Sequence, residues 1–342
     1  MLRRTPAVAL PTALLLLTAA CANQSVGDSP APAGSSAVAY PTKTLQIMAP
    51  AGAGGGWDTT ARSMQKTLQE AKLLNGQSAE VRNVTGAGGT IGLAELVTSH
   101  QKDAHQLMVT GLVMVGGVVT NKSPVDLGKT TPIATLTAES EVIVVRSDSK
   151  YTTLKQLVDD VKANPTGVKW GGGSAGGTDH ILVGLLAKTA GADAKVVAKQ
   201  YVAYSGGGET KAALLSGDVS VAVSSTSEFA DLVKAGTVRA LAVSSAKGED
   251  AGAGTPAPSI KEAGYDLELM NWRGVVAPPE LSAGERAAVI KLIDDLHASQ
   301  QWKAELTAKK WQDFYKSGDD AAAFFQSESV RIKTVLTEIG LG

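Results

Sequence analysis

The sequence offers little from which to build metal, redox or nucleic-acid chemistry. It has one cysteine, Cys21, in 342 residues, which allows no intrachain disulfide and no cysteine-built zinc site. The four histidines (His100, His105, His180 and His297) are scattered without metal-ligand spacing, so neither a metal nor another cofactor is expected. Neither sign of charge prevails. The 32 Lys and Arg against 33 Asp and Glu exclude the basic footprint of a nucleic-acid binder and give no acidic tail. Beyond the first twenty residues, no apolar run reaches the 18 or so residues of a membrane span.

Glycine, by contrast, is plentiful. There are 37 glycines in a chain that is 44% hydrophobic, without the period of collagen. Such an excess implies tight turns and backbone that approaches something closely. The length is that of about two domains.

Residues 1–20 read as an export signal. Arg3 and Arg4 precede an apolar stretch from Ala7 to Leu17, and small residues Ala19 and Ala20 precede Cys21. The stretch Leu17-Thr18-Ala19-Ala20-Cys21 resembles a lipobox, with Thr18 where leucine is usual. Cys21 is therefore the expected lipidation site, and 21–42, rich in Ala, Ser, Pro and Gly, the expected flexible tether. The expected location is extracytoplasmic, lipid-anchored to the outer face of the cell membrane, or periplasmic.

The remainder alternates strands and helices. Strands are expected at 44–49, 79–84, 107–110, 133–136, 142–145, 168–170, 196–201, 219–223 and 239–243. Helices are expected at 58–73, 152–163, 179–190, 209–216 and 228–234, with a largely helical tail over 283–299, 301–310 and 319–339. Val289, Ile290, Ile293 and Leu296 have helical spacing and read as core. Strand–helix alternation predicts an α/β fold of parallel sheets covered by helices. The element order predicts two doubly wound lobes, one over 43–142 and 261–342, the other over 143–260.

Three glycine clusters fall at strand-to-helix junctions: Ala51 to Asp58 (Ala51, Gly52, Ala53, Gly54, Gly55, Gly56, Trp57, Asp58), Gly86 to Thr90 (Gly86, Ala87, Gly88, Gly89, Thr90), and Gly171 to Thr178. Ligands of open α/β sheets bind beyond the carboxyl ends of strands. A helix start also presents unpaired N–H groups and a partial positive charge. Small residues let an anion come close, so the clusters fit an acidic ligand held by backbone amides. Other motifs are weaker. Gly171-x-Gly173-x-x-Gly176 lacks the acidic residue of a dinucleotide site, and Gly128-Lys129-Thr130 lacks the first glycine of a P-loop. Gly172-x-Ser174-x-Gly176 matches a nucleophile elbow, so an exported serine hydrolase using Ser174 is the enzyme alternative, although His180 sits too near it.

The segment Ala49 to Arg62, with its Ala-Gly-Ala-Gly-Gly-Gly-Trp-Asp-Thr-Thr core, resembles the first signature of the tripartite tricarboxylate transporter receptors. Asn83 to Gly92 resembles the second. Ser174 to His180, Tyr204 to Glu209 with Gly217-Asp218-Val219, Gly236 to Val243 and Trp272 to Pro278 continue the likeness in order over 43–342. Lys102-Asp103-Ala104-His105 departs from the family's Pro-Asp-Gly-Tyr. The resemblance implies a periplasmic-binding-protein-like (type II) fold with a hinge and an interlobe cleft. It implies no catalysis, and capture of a carboxylate (citrate or another di- or tricarboxylate). Delivery would be to large and small membrane permease subunits, by a monomer anchored through lipid; a receptor that senses the ligand without uptake is the other reading. Carried over, the ligand site is Ala51 to Asp58 and Gly86 to Thr90 on one lobe. On the other it is Ser174, Ala175, Gly176, Gly177, Thr178, Asp179 and His180 with Tyr204, Ser205, Gly206 and Gly207. Asp58 reads equally as a helix cap, and Trp57 as packing. Arg273 reads as a countercharge or a structural ion pair, and Ser224 and Ser225 as cleft lining.

Overall fold

The computed structural model describes residues 39–204 and 207–342. The signal peptide, Cys21, most of the tether, Ser205 and Gly206 lie outside the described residues.

The chain runs β1 (Leu45–Ala49), α1 (Gly56–Glu70), β2 (Ala79–Asn83), α2 (Thr90–Ser99), β3 (Gln106–Gly111), α3 (Leu112–Thr120), β4 (Thr131–Arg146), α4 (Leu154–Ala163), β5 (Trp170–Gly172), α5 (Thr178–Thr189), α6 (Ala194–Ala198), β6 (Tyr201–Ala203), α7 (Gly207–Ser216), β7 (Val221–Ser225), α8 (Thr226–Lys234), β8 (Val238–Val243), β9 (Met270–Ala277), α9 (Ala283–Ala298), α10 (Gln300–Lys309), β10 (Gln312–Ser317) and α11 (Gly318–Glu338).

These elements build two α/β lobes around one long strand. In lobe 1, β2, β1 and β3 are parallel, and β9 adds to β3 antiparallel. In lobe 2, β6, β5 and β7 are parallel. Strand β4 belongs to both. Its residues Thr131 to Ser140 pair with β9, and Glu141 to Val144 pair with β7. The change of partner between Ser140 and Glu141 is one crossing. The return is tied where Leu269 N–H donates to Ser244 O and Ser244 Oγ donates to Leu269 O. The sheets are thus mixed rather than parallel throughout, because β4 and β9 run against their neighbours.

The tail completes lobe 1, since β10 pairs antiparallel with β4. Its end then reaches lobe 2, where Ile339 lies against Gly184 of α5 and Glu338 accepts from Lys188 at 2.6 Å. Of the apolar stripe in α9, Val289, Ile293 and Leu296 are buried and Ile290 is half-buried. A reciprocal capping box of Ser282 and Glu285 starts that helix.

Three expectations need correction. The strands expected at 133–136 and 142–145 are one strand, because the polar residues between them find partners. Glu141 N–H donates to Ser244 Oγ at 2.8 Å, and Glu139 accepts from Ser227 at 2.7 Å. The strand expected at 196–201 is instead α6 followed by β6. Asp193 caps that helix by accepting from Lys195 and Val196 N–H, and Ala194, Val197 and Ala198 bury one helical face. Helix α3 and strands β9 and β10 were not expected; the β-branched and glycine-rich run of α3 has weak helix propensity and is helical because Leu112, Met114 and Val115 are buried.

Candidate functional site

A cleft of about 530 Å³ lies between the lobes at the carboxyl ends of their parallel strands. Of the residues nominated from sequence, Ala51, Gly52, Gly55, Gly56, Trp57, Gly86, Ala87, Gly88 and Gly89 line it from lobe 1. Ser174, Gly177, Thr178, Asp179, Gly207, Ser224 and Ser225 line it from lobe 2, and Arg273 lies at its base. Pro50, Thr85, Val113, Gly173, Glu228 and Asn271 complete the lining.

On lobe 1, α1 and α2 begin at glycine caps, Gly55 and Gly89, with no side chain satisfying their first N–H groups. At α1 the first N–H groups are thus left without a side-chain partner beside the cleft, where a partial positive charge also gathers; at α2 the first N–H, that of Thr90, is given to Ala87 O. Residues 86 to 89 all have positive φ, a course open mainly to glycine. Thr90 lies outside the lining; it is buried, and its Oγ1 donates to Ala87 O at 2.9 Å. Trp57 packs against Gly89 while contributing to the wall.

Asp58 does not line the cleft. Its Oδ2 accepts from Gly54 N–H at 2.8 Å and from Arg62 Nε at 2.9 Å, and Oδ1 accepts from Asn83 Nδ2 at 2.9 Å. Burial raises its pKa, but the bonds from Arg62, Gly54 and Asn83 outweigh that effect and hold it below the ordinary value. It is a brace that shapes the first loop. Ala53 also lies outside the lining, and Gly54 lines a smaller adjoining recess.

Arg273, 4% exposed, forms a buried ion pair with Glu139 of β4, itself 3% exposed. Its guanidinium reaches past Gly56, where a Cβ would stand 2.5 Å from Nη2; only glycine leaves that passage open. Nη1 is buried and has no hydrogen-bond partner.

On lobe 2, Asp179 accepts from Gly173 N–H. Burial pushes its carboxyl up to about 6, against that hydrogen bond, with the Glu228 charge adding to the rise. Glu141 lies behind it at the crossing point. Burial, then the neighbouring Asp179, Glu139 and Glu228 charges, push Glu141 well above the usual carboxylate range. Glu228 accepts from Ser224 Oγ at 2.6 Å and lies against Gly207 at the start of α7. Ser225 bridges Asn271 and Glu141. Thr178, 1% exposed, lines the cleft with an Oγ1 that has no partner.

His180 faces away. Its Nδ1 accepts from Gly176 N–H at 3.2 Å, its Nε2 donates to Ala198 O at 2.9 Å, and its ring stacks on Tyr201 at 4.2 Å. Burial lowers its pKa, so both nitrogens are spent on structure and neither serves Ser174 as a base. Ala175, Gly176 and Tyr204 lie outside the lining; Tyr204 N–H instead extends the pairing of β5 by donating to Gly172 O at 2.9 Å. Among the described residues no group of three or more His, Cys, Asp or Glu is arranged to hold a metal.

Sequence reasoning missed Glu139, Glu141 and Glu228. Glu228 had a usable signal, since it follows β7 at a strand-to-helix junction like those of the glycine loops. Glu139 and Glu141 gave none, lying where polar residues looked like a break between strands.

Comparison with known proteins decides the family. The family model described as tripartite tricarboxylate transporter family receptor matches residues 60–341. The chain belongs to that family. An Agrobacterium vitis relative, described as the UPF0065 protein in the TAR-I ttuE-ttuC' intergenic region, is 31% identical over 252 residues, covering 71% of this chain and 68% of its own. Two solved structures share the fold. MatC from Rhodopseudomonas palustris with bound malate has a TM-score of 0.74 at 22% identity and covers 87% of this chain and 100% of its own. A second R. palustris protein, with adipate, has a TM-score of 0.75 at 22% identity and covers 88% and 99%. As a member of this receptor family the chain is a solute-binding protein with the two-lobed periplasmic-binding-protein fold. No helix among the described residues is long and apolar enough to cross a membrane.

Proposed function

We propose that this receptor captures a small carboxylate in the interlobe cleft and hands it to the membrane subunits of a tripartite tricarboxylate transporter. The observation that carries the reading is the pair of glycine-capped helix starts, α1 and α2, opening onto one cleft. Backbone donors there bind a carboxylate without a cationic side chain. The buried, unpartnered Nη1 of Arg273 adds one further donor at the cleft base.

The ligand bridges two lobes joined by β4 and the 244–269 return, so it makes more contacts when they close and shifts the population toward that form. Cys21 would tether the receptor to the membrane through lipid. The malate and adipate of the two R. palustris structures support a carboxylate ligand here, and citrate joins them from the sequence resemblance. Isothermal titration with malate, adipate and citrate, with mass spectrometry of any ligand released from freshly purified protein, tests the reading. At least one carboxylate is expected to bind and to raise Tm; no binding by any carboxylate and no copurified acid would overturn it. Co-purification of permease subunits separates uptake from sensing, and the mass of the mature N-terminus reports on Cys21.

A further inference from the structure

The cleft is charged asymmetrically. Its described lining holds two carboxylates, Asp179 and Glu228, both on lobe 2, and one cation, Arg273, whose charge is already matched by Glu139. Lobe 1 contributes no acidic side chain to the lining. A dicarboxylate bridging the lobes would set its second carboxylate against Asp179 and Glu228, and like charges a few ångströms apart in a partly dehydrated cleft repel strongly. The site also holds two buried polar groups without partners. Arg273 Nη1, in a side chain 4% exposed, lacks an acceptor at one end, and Thr178 Oγ1, in a side chain 1% exposed, is unpaired beside Asp179 at the other. Of the buried, unpartnered side-chain atoms among the described residues, these two belong to residues that line the cleft, where a ligand would partner them.

We propose that the ligand is an amino-carboxylate, held with its carboxylate on the glycine loops and Arg273 of lobe 1 and its ammonium between Asp179, Glu228 and Thr178 of lobe 2. This rests on the carboxylate-receptor reading and narrows it. The ammonium supplies the hydrogen-bond donors that the two carboxylates and Thr178 Oγ1 accept, and it brings the positive charge that the lobe 2 wall lacks. A neutral chain end would leave that wall uncompensated on closure, so discrimination arises where the lobes meet.

The test is calorimetric titration of the dialysed full-length receptor with matched pairs. These are aminoalkanoates of three to six carbons against dicarboxylates of the same chain length, and alanine against lactate. At least one ammonium-bearing member is expected to bind about tenfold or more tighter than its partner. Glu228→Gln is expected to lose that preference while its melting temperature stays close to wild type, and Asp179→Asn serves as the second variant should the first fold poorly. A dicarboxylate or hydroxy acid that binds as well as its amino partner would overturn the inference and leave the carboxylate receptor standing. Absence of binding across every pair would overturn the inference, and the carboxylate-receptor reading falls with it only if malate and citrate also fail to bind and no acid copurifies.

Discussion

Asp58 and Asp179 occupy matching places in the two lobes, and their environments are opposite. Each sits in the first turn of the helix that follows a glycine loop, and each accepts an N–H from its own loop, Gly54 or Gly173. Asp58 is also bonded by Arg62 and Asn83, and its pKa falls. Asp179 has Glu141 and Glu228 for neighbours, and its pKa rises. The loop amide is common to both, so it does not set the difference. Burial raises both carboxyls; at Asp58 the bonds from Arg62, Gly54 and Asn83 outweigh it, whereas at Asp179 burial prevails and the Glu228 charge adds to the rise. Asp58 is spent on bracing a loop that lines the cleft. Asp179 stays in the wall and gives lobe 2 an acidic character. Two similar sequence motifs thus make two unlike halves of one cleft.

The largest expected effect comes from removing the cation that stands between the halves. Arg273→Gln leaves Glu139 buried and unpaired, and breaking a buried pair from one side costs roughly 3–5 kcal/mol. Urea denaturation should show this as a lower midpoint, and a loss below about 1 kcal/mol would mean that the pair is solvated in solution. Replacing both residues together, as Arg273→Met with Glu139→Leu, should recover much of the loss, because no uncompensated charge then remains.

The next effect separates the lobes. Gly52→Leu places a side chain in the lobe 1 half of the cleft, where the nearest atom to a Cβ is Thr85 Cγ2 at 4.0 Å. The fold should tolerate it, while carboxylate affinity falls by roughly 1.5–3 kcal/mol, the value of a charge-assisted hydrogen bond. Unchanged affinity in calorimetry would place the anion elsewhere. Gly88 looks from sequence like the better target, but its φ is +61° and a Cβ would stand 3.2 Å from Gly117 Cα, so a side chain there would damage fold and binding together.

Much of this was legible before any coordinates. The strand–loop–helix alternation located the glycine loops, because glycine clusters after apolar strands have few other uses, and most of their residues do line the cleft. The single 16-residue β4 was not legible, because Thr137, Glu139, Ser140 and Glu141 interrupt its apolar pattern. Their partners Arg273, Ser227 and Ser244 lie about 90 to 130 residues away, and local propensity cannot see them. The same distance hid the acidic wall. His180 shows the reverse error: a histidine beside a glycine loop looked like a ligand group, and its burial against Tyr201 and Ala198 makes it a structural one.

The smallest effect probes the acidic half alone. The Asp179 carboxyl is raised to about 6 from an ordinary 3.8, so the folded state holds its proton more tightly than the unfolded chain does. Where that is true, stability falls as pH rises, here from about pH 4 to pH 6, and the penalty is fully present above that window. Asp179→Asn keeps an oxygen for Gly173 N–H and removes the charge that faces Glu141 of β4, Glu228 of α8 and Tyr201 of β6. The variant should therefore be more stable than wild type at pH 7, by on the order of 1 kcal/mol, with the advantage vanishing toward pH 4. The gain is smaller than the rise at Asp179 alone would give, because Glu141 retains its own raised pKa and part of the slope with it. Denaturation midpoints of the ligand-free protein at pH 4, 5, 6 and 7 measure this directly. A loss of stability equal at every pH would show that Asp179 acts as a loop brace like Asp58, and the contrast between the lobes would then lie in Glu228 alone.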